Sequence, residues 1–392
     1  MKSPEPNQRV MVVVGTRPEA IKLAPLVIRL RDIEGLTVRL VSTGQHRELL
    51  AQALGEFGLA ADLDLNLMKP DQTLADSTAR ALSALDQAIA SERPSLVLAQ
   101  GDTTTVLASA LASYYRQVPF GHVEAGLRTG QPYRPFPEEK NREVVAHLAS
   151  VHFAPTARSR DNLIREAIDP ASIHVTGNTG IDALRWVVER SGPAAPPSLN
   201  NPSRTILVTT HRRENLGPPL EAICDAVVDL VANHLDLRVV FPVHPNPSVR
   251  SMVDARLGGV DRVDLVAPVG YRAFVELMRG SFLILTDSGG VQEEGPSLGV
   301  PVLVLRDETE RPEAVLAGSV QIVGPHRGRI VQAVDRLWGD PAAYRQASTA
   351  VNPYGDGHAS ERIVRVVAKR FGLNPPLPPP SFNPNWTQPP AN

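Results

Sequence analysis

Short apolar runs of strand length alternate with amphipathic stretches of helix length along most of this chain. That alternation restricts it to βα units wound into parallel sheets. Strands are predicted at Val10–Val14, Val38–Val41, Leu96–Ala99, Pro119–His122, His152–Ala154 and Ile173–Val175, with helices between them such as Glu19–Leu30 and Thr73–Ile89. Arg190–Arg204 interrupts the series with four prolines in SGPAAPPSLNNPSR, a linker or surface-loop composition. The pattern then restarts, with strands at Ile206–Thr209, Val239–Val243, Val263–Val266, Leu283–Leu285 and Val302–Leu305. The halves open alike, since VMVVVGTRPEA and TILVTTHRRENLG each run a buried strand into a polar loop holding Arg and Glu. The expected fold class is therefore α/β, two doubly wound Rossmann-like domains facing across a cleft, with ligands at the carboxyl ends of the strands. A length of 392 residues accommodates two such domains.

Composition narrows the partners. Forty basic residues against forty-two acidic ones leave a formal charge of −2, without the basic footprint of a nucleic-acid binder. The single cysteine, Cys224, has no partner for an internal disulfide, which fits a reducing cytoplasm. No His-Glu-x-x-His spacing occurs among the ten histidines, so no metal site is expected. The N-terminal apolar run is too short for a signal peptide, and no later run reaches membrane length.

The stretch Phe282–Ala314 carries the clearest chemistry. A buried strand runs directly into Thr286-Asp287-Ser288-Gly289-Gly290 and then into a helix start. Free backbone N–H groups and the positive end of the helix dipole make such a junction an anion site. Two glycines let the backbone approach a phosphate that a Cβ would block. Glu293 and Glu294 cannot bind phosphate, but a carboxylate one turn into the helix can accept hydrogen bonds from ribose hydroxyls. Gly295-Pro296 makes the helix short or kinked. A lone Ser-Gly-Gly reads first as an ordinary turn with an acidic helix start; the whole pattern favours a nucleotide diphosphate.

Other strand ends carry further candidates. Arg17, at the mouth of a helix with Pro18 in its first turn, is placed to clamp a phosphate or carboxylate, or to pair with Glu19. Lys22 adds charge one turn on. Asp102 stands either as the N-cap of a helix Thr103–Tyr115 or as an acid–base group with Glu124 and Glu138, which emerge at the same rim of the sheet. Carboxylates crowded together have raised pKa values and can exchange protons near neutrality. His211 lies one residue past the first strand of the second half, where it could donate to a phosphate or titrate near neutral pH. His244 ends the next strand between fixed prolines, and a hydrogen bond within its own loop would also explain it. Glu310, Arg311 and Glu313 read alone as a surface ion-pair cluster.

The strings GTRPEAIKLAPL, GDTTT, GHVEAGLRTG, PEE-x-NR, HRREN, HPNP, TDSGGVQEE and ERPEA, in this order and spacing, resemble the non-hydrolysing UDP-N-acetylglucosamine 2-epimerases of bacteria. The resemblance covers nearly the whole chain except its proline-rich tail. It implies the GT-B arrangement of two Rossmann-like domains, at 1–178 and 179–357, with a helix at 358–372 returning to the first. It implies acid–base roles for Asp102, Glu124 and Glu138, with His211 assisting at the diphosphate. It places UDP against Arg17, Lys22, Phe274, Ser288, Gly289, Gly290 and Glu294, and the sugar-side loop at Thr309, Glu310 and Arg311. It puts a second, allosteric UDP-GlcNAc beside Gln45, His46, Arg212 and His244. It further implies a homodimer without cofactor or metal, epimerising UDP-GlcNAc to UDP-ManNAc for surface polysaccharide. The alternatives are a hydrolysing relative, an epimerase of another UDP-2-acetamido sugar, or a glycosyltransferase of the same architecture. Residues 373–392, with eight prolines in Asn374–Asn392, are expected to be extended or disordered, either a solvated tail or a proline-rich ligand.

Overall fold

The computed structural model describes residues 8–44, 47–68, 72–192, 204–210, 212, 215–379 and 382. The chain divides into two compact units. One runs to Trp186 and resumes at Tyr354; the other spans Val187–Pro353.

The first unit is built on β1 (Gln8–Val14), β2 (Leu36–Ser42), β3 (Leu63–Asp64), β4 (Leu96–Gln100), β5 (Phe120–Val123), β6 (Val151–Ala154) and β7 (Ile173–Val175). They form one parallel sheet in the order β3-β2-β1-β4-β5-β6-β7. Val10 to Val14 are buried on both faces, as a strand covered by helices on both sides must be. Each such side chain contributes about 1.5–3 kcal/mol when fully buried. The helix Ala359–Arg370 also belongs to this unit, packing on the helix Arg17–Arg31. The buried Asp182 fastens it by accepting hydrogen bonds from the Ala359 and Ser360 amides at 3.1 and 2.6 Å. Desolvation pushes the pKa of that carboxyl up to about 6.

The second unit holds β8 (Arg204–Thr209), β9 (Leu237–Pro242), β10 (Val263–Val266), β11 (Leu283–Thr286), β12 (Val302–Val304) and β13 (Val320–Ile322). They are again all parallel, in the order β10-β9-β8-β11-β12-β13. Its core gathers Phe241, Leu285 and Leu303 from the sheet with Ile223, Val227 and Leu230 from the helix Pro218–Asn233. Cys224 is part of that core, and burial pushes its thiol up to about 12.

The two doubly wound sheets are present, and every strand expected from the sequence lies within two residues of an observed one. The edge strands β3 and β13 were not anticipated. In both sheets the order reverses beside the first strand, between β1 and β4 and between β8 and β11. Ligands of such sheets bind at that switch point, outside the carboxyl ends. The segments there are Gly15–Arg17 and Gly101–Thr103 in one unit, and the described residues Thr210 and Arg212 with Asp287–Gly289 in the other. Residues 374–379 and 382 are neither helix nor strand. The Pro376 carbonyl accepts from Arg365 at 2.5 Å, and the Arg362 guanidinium lies 4.9 Å from the centre of the Phe382 ring.

Candidate active site

At the end of β1 the chain turns into the helix Arg17–Arg31, capped by Thr16, with Pro18 in the first turn and Arg17 half-buried. Glu19 completes a capping box, its Oε2 accepting from the Gly15 and Thr16 amides at 2.5 and 2.8 Å. Its Oε1 accepts from the Thr103 hydroxyl at 2.5 Å. At the end of β4 the N-cap of the next helix, Thr104–Tyr115, is Thr103, whose side chain accepts from the Val106 amide. The capping role weighed for Asp102 therefore belongs to its neighbour. Asp102 Oδ2 instead accepts a hydrogen bond from Arg142 Nε at 2.8 Å and pairs with Nη2 of the same guanidinium at 2.6 Å. Asn141 holds the Asp102 carbonyl from the same helix at 2.8 Å.

Glu124 follows β5, the neighbour of β4, and sits in the left-handed region at φ 64°. A non-glycine residue there is uncommon and strained. The turn aims a nearly buried carboxylate at Lys22 Nζ, 2.5 Å away, and at Asn178 Nδ2, 2.8 Å away. Lys22, expected on the UDP side, is thus bonded to Glu124 inside the first unit. Glu138 is half-buried and is the first residue of the helix Glu138–Leu148, reached through cis peptides at Arg134-Pro135 and Phe136-Pro137. Its fully buried neighbour Glu139 accepts from the Thr129 and Gly130 amides, both at 2.9 Å, and from Arg142 Nη1 at 3.0 Å. Arg142 therefore joins the Asp102 loop to the first turn of the helix that bears Glu138.

Crowding was expected to govern these carboxylates. The structure supplies Asp102 and Glu124 with a buried cation each. In the loop beside them, Glu19 has its pKa pushed up to about 7. Desolvation is the main cause and Asp102 adds to it, against the three donors that favour the ion. Behind the same loop, His122 Nε2 lies 2.7 Å from the Gly101 carbonyl, and burial pushes its pKa down to about 4. It is a neutral structural imidazole at physiological pH.

In the second unit, β11 delivers the fully buried Asp287. Its Oδ2 accepts from the Arg212 amide at 3.0 Å and from Asn215 Nδ2 at 2.9 Å, fastening the loop after β8 to the loop after β11. Ser288 then caps the helix Gly289–Ser297, with no side-chain bond to its first turn. The helix is short, as Gly295-Pro296 requires. Its two leading glycines differ in what surrounds them. A Cβ on Gly289 would lie 2.5 Å from Arg311 Nη1, whereas one on Gly290 would meet nothing within 4 Å. Gly290 presents bare backbone outward, the geometry an incoming phosphate needs.

Arg311 is not part of a surface cluster. Glu293, Glu310, Arg311 and Glu313 are all buried. The Arg311 guanidinium reaches Glu293 from Nε and Glu310 from Nη1, each at 2.5 Å, and Arg306 holds the other oxygen of Glu310 at 3.0 Å. Thr309 donates to Gln292 at 2.7 Å, so this loop is locked onto the helix that starts at Gly289. Glu294 accepts from the Tyr271 hydroxyl at 2.9 Å, and Phe274 lies half-buried on that tyrosine's helix, Tyr271–Arg279. The Arg212 guanidinium is 3.9 Å from Glu310. His244 is exposed and accepts from the Asn246 amide at 3.2 Å, the within-loop bond considered for it. Gln45, His46 and His211 lie outside the described residues.

Several residues here were assigned no role from the sequence. Glu19, Arg142 and Asp287 stand inside GTRPEA, PEE-x-NR and TDSGG, motifs quoted for other members. Asn215 likewise stands inside HRREN, whereas Asn178 and Tyr271 had no signal, because their use depends on segments far off in the chain. No cluster of three or more metal-ligating side chains and no helix long and apolar enough to cross a membrane occurs among the described residues.

Comparison with known proteins bears on the same arrangement. The family profile described as UDP-N-acetylglucosamine 2-epimerase matches residues 28–368. The UDP-N-acetylglucosamine 2-epimerase of Escherichia coli K12 is 50% identical over 368 residues, covering 92% of this chain and 98% of that protein. Its Bacillus subtilis 168 counterpart is 48% identical over 371 residues, 94% of this chain and 97% of that protein. The crystal structure of the Neisseria meningitidis UDP-GlcNAc 2-epimerase bound to UDP-GlcNAc matches with a TM-score of 0.88 at 44% identity, covering 92% of this chain and all of that one. Fold, motif order and extent of match agree: the chain belongs to the UDP-N-acetylglucosamine 2-epimerase family.

Proposed function

We propose that this protein interconverts UDP-N-acetylglucosamine and UDP-N-acetylmannosamine by anti elimination of UDP and its re-addition through 2-acetamidoglucal. Membership of the family makes it an isomerase, a UDP-GlcNAc 2-epimerase; the route and the residue roles are our reading. The observation that carries it is the pair Asp102 and Glu124 at neighbouring strand ends, each with its own buried cation. The C2 hydrogen of the sugar is not acidic, because no carbonyl is attached to C2. Inversion by proton transfer therefore requires that C1–O break first, its electron pair leaving with UDP. A carboxylate then takes the C2 proton and the C2–H electrons form the C1–C2 double bond. Return of a proton to the opposite face of C2, and of the UDP oxygen to C1, completes the epimer. Asp102, Glu124 and Glu138 are the groups proposed to move these protons.

In the second unit, Ser288, Gly289 and Gly290 would hold the diphosphate at the helix N-terminus and Glu294 the ribose. Phe274 would lie beside the uracil. Arg17 and His211 would assist at the phosphates, with Thr309, Glu310 and Arg311 bordering the sugar. Occupation of a second site by UDP-GlcNAc at Gln45, His46, Arg212 and His244 would regulate turnover, a coupling between two sites. A cytoplasmic homodimer supplying surface polysaccharide completes the reading.

The test is the reaction run in D2O without an acceptor, followed by proton NMR. Deuterium is expected at C2 of both epimers, because carboxyl protons exchange with solvent. Epimerised product that keeps protium at C2 after full equilibration would sink the elimination route. Substrate that stays unepimerised alone, and whose sugar is transferred with its C2 proton intact once an acceptor is supplied, would indicate a glycosyltransferase instead.

A further inference from the structure

We infer that Glu19 is a positioning residue for this reaction: its carboxylate ties the loop after β1 to the loop after β4 and so holds Asp102 in place. The inference rests on the reading of Asp102 as an acid–base group. Glu19 Oε2 serves the Gly15 and Thr16 amides of its own loop, which an ordinary capping box explains. Its Oε1 goes elsewhere, to the hydroxyl of Thr103, 84 residues on and adjacent to Asp102. Thr103 Oγ1 in turn accepts from the Val106 amide, so this hydroxyl is fixed as donor to Glu19 and acceptor from its helix. Asp102 is thus held from one side by Asn141 and Arg142 and from the other, through Thr103, by Glu19.

A second capping box in the same unit shows what the cap alone requires. The helix Leu74–Glu92 starts with Thr73 as cap and Asp76 in the position equivalent to Glu19, with the same reciprocal bonds. That box uses an exposed aspartate, one methylene shorter. The longer, buried side chain at position 19 adds reach to Thr103. It does so at the cost of desolvating a carboxyl whose pKa is pushed up to about 7. Arg17 leaves the same loop, so one carboxylate connects a candidate phosphate contact to a candidate acid–base group.

The discriminating variant is Glu19→Asp in the full-length enzyme, which preserves the cap and withdraws the reach. Its melting temperature and UDP affinity by calorimetry are expected to stay near wild type. Its kcat is expected to fall roughly ten- to a hundredfold, the loss typical of a catalytic group displaced by about an ångström. Thr103→Val should show a similar fall, Thr103→Ser should recover most of it, and Glu19→Asp/Thr103→Val should be no slower than the worse single variant. A kcat for Glu19→Asp within about twofold of wild type overturns the inference. So does a loss confined to UDP affinity, or effects of the two variants on kcat that multiply. Asp102→Asn run alongside separates the two levels. If it is inactive while Glu19→Asp turns over normally, only the tie fails. If Asp102→Asn itself turns over normally, the role of Asp102 falls, and the tie with it.

Discussion

At the residue scale the first unit places Glu19, a carboxyl bonded to neutral groups, in the same region as the carboxylates Asp102 and Glu124, each paired with a cation. Among the described residues the donors to Glu19 are all neutral, and its pKa of about 7 lies above the 4.5 of an unperturbed glutamate. The fold therefore binds this proton more tightly than the unfolded chain does. The associated stability is present at acid pH and is lost as pH rises from about 4.5 through about 7. A displacement of this size corresponds to about 3 kcal/mol. Glu19→Gln, which cannot ionise, is accordingly expected to melt higher than wild type at pH 8, and the advantage should shrink toward pH 5. Thermal melts of both proteins across that range decide it, and a constant difference would contradict the assignment. The roles of the remaining carboxylates separate by assay. Asp102→Asn and Glu138→Gln should keep UDP affinity and lose turnover by at least about a hundredfold, within the usual range for general acid–base groups. Glu294→Ala should weaken UDP binding. Equal loss of UDP affinity in Asp102→Asn and Glu294→Ala would reverse the division proposed between the two units. At this scale the acids were legible and their partners were not. Asp102 and Glu124 follow strands in recognisable strings, but Arg142 and Lys22 become their partners only through tertiary packing between elements far apart in sequence.

At the element scale the strand-turn-helix from β11 to Ser297 was legible almost completely. An apolar run, two glycines and a Gly-Pro pair each impose a local geometry that tertiary packing does not override. What could not be read is that the two glycines do different things. Gly289→Ala puts a methyl group against the Arg311 guanidinium and should destabilise the protein by about 1–3 kcal/mol, the usual cost of overpacking. Gly290→Ala meets open space and should melt like wild type while binding UDP less tightly. Calorimetry and thermal melts on the two variants test this, and normal UDP affinity in Gly290→Ala would remove the proposed phosphate from this backbone. The edge strands β3 and β13 escaped the sequence for a related reason. They have two and three residues, and β13 carries an exposed glutamine at its centre, so neither length nor hydrophobic pattern distinguishes them from loop.

At the scale of the whole molecule, both sheets use the same device at their switch point. A buried carboxylate, Glu19 in one unit and Asp287 in the other, fastens the loop after the first strand to the loop after the fourth in winding order. The doubly wound order was foreseeable from the βα rhythm; these ties were not, because a carboxylate in a polar loop looks alike whether it faces water or a distant amide. The tail is a smaller matter. Its described residues touch the body through the Pro376 carbonyl and the Phe382 ring, and an exposed cation–π contact contributes only about 0.5–1 kcal/mol. Removal of Asn374–Asn392 should lower the melting temperature slightly and leave kcat unchanged, and an insoluble or inactive truncation would show that the tail has a larger part. The helix Ala359–Arg370 has a consequence of another kind, for the order in which a ribosome delivers this protein. Domains tend to fold as they emerge, the N-terminal one first. Here the first sheet is translated early, yet its closing helix is made only after the whole span Val187–Pro353 of the second unit. Until then Asp182 lacks the two amides that hold it in the finished structure. The second unit, continuous in the chain, is complete by Pro353, so the half of the molecule synthesised first is the half finished last.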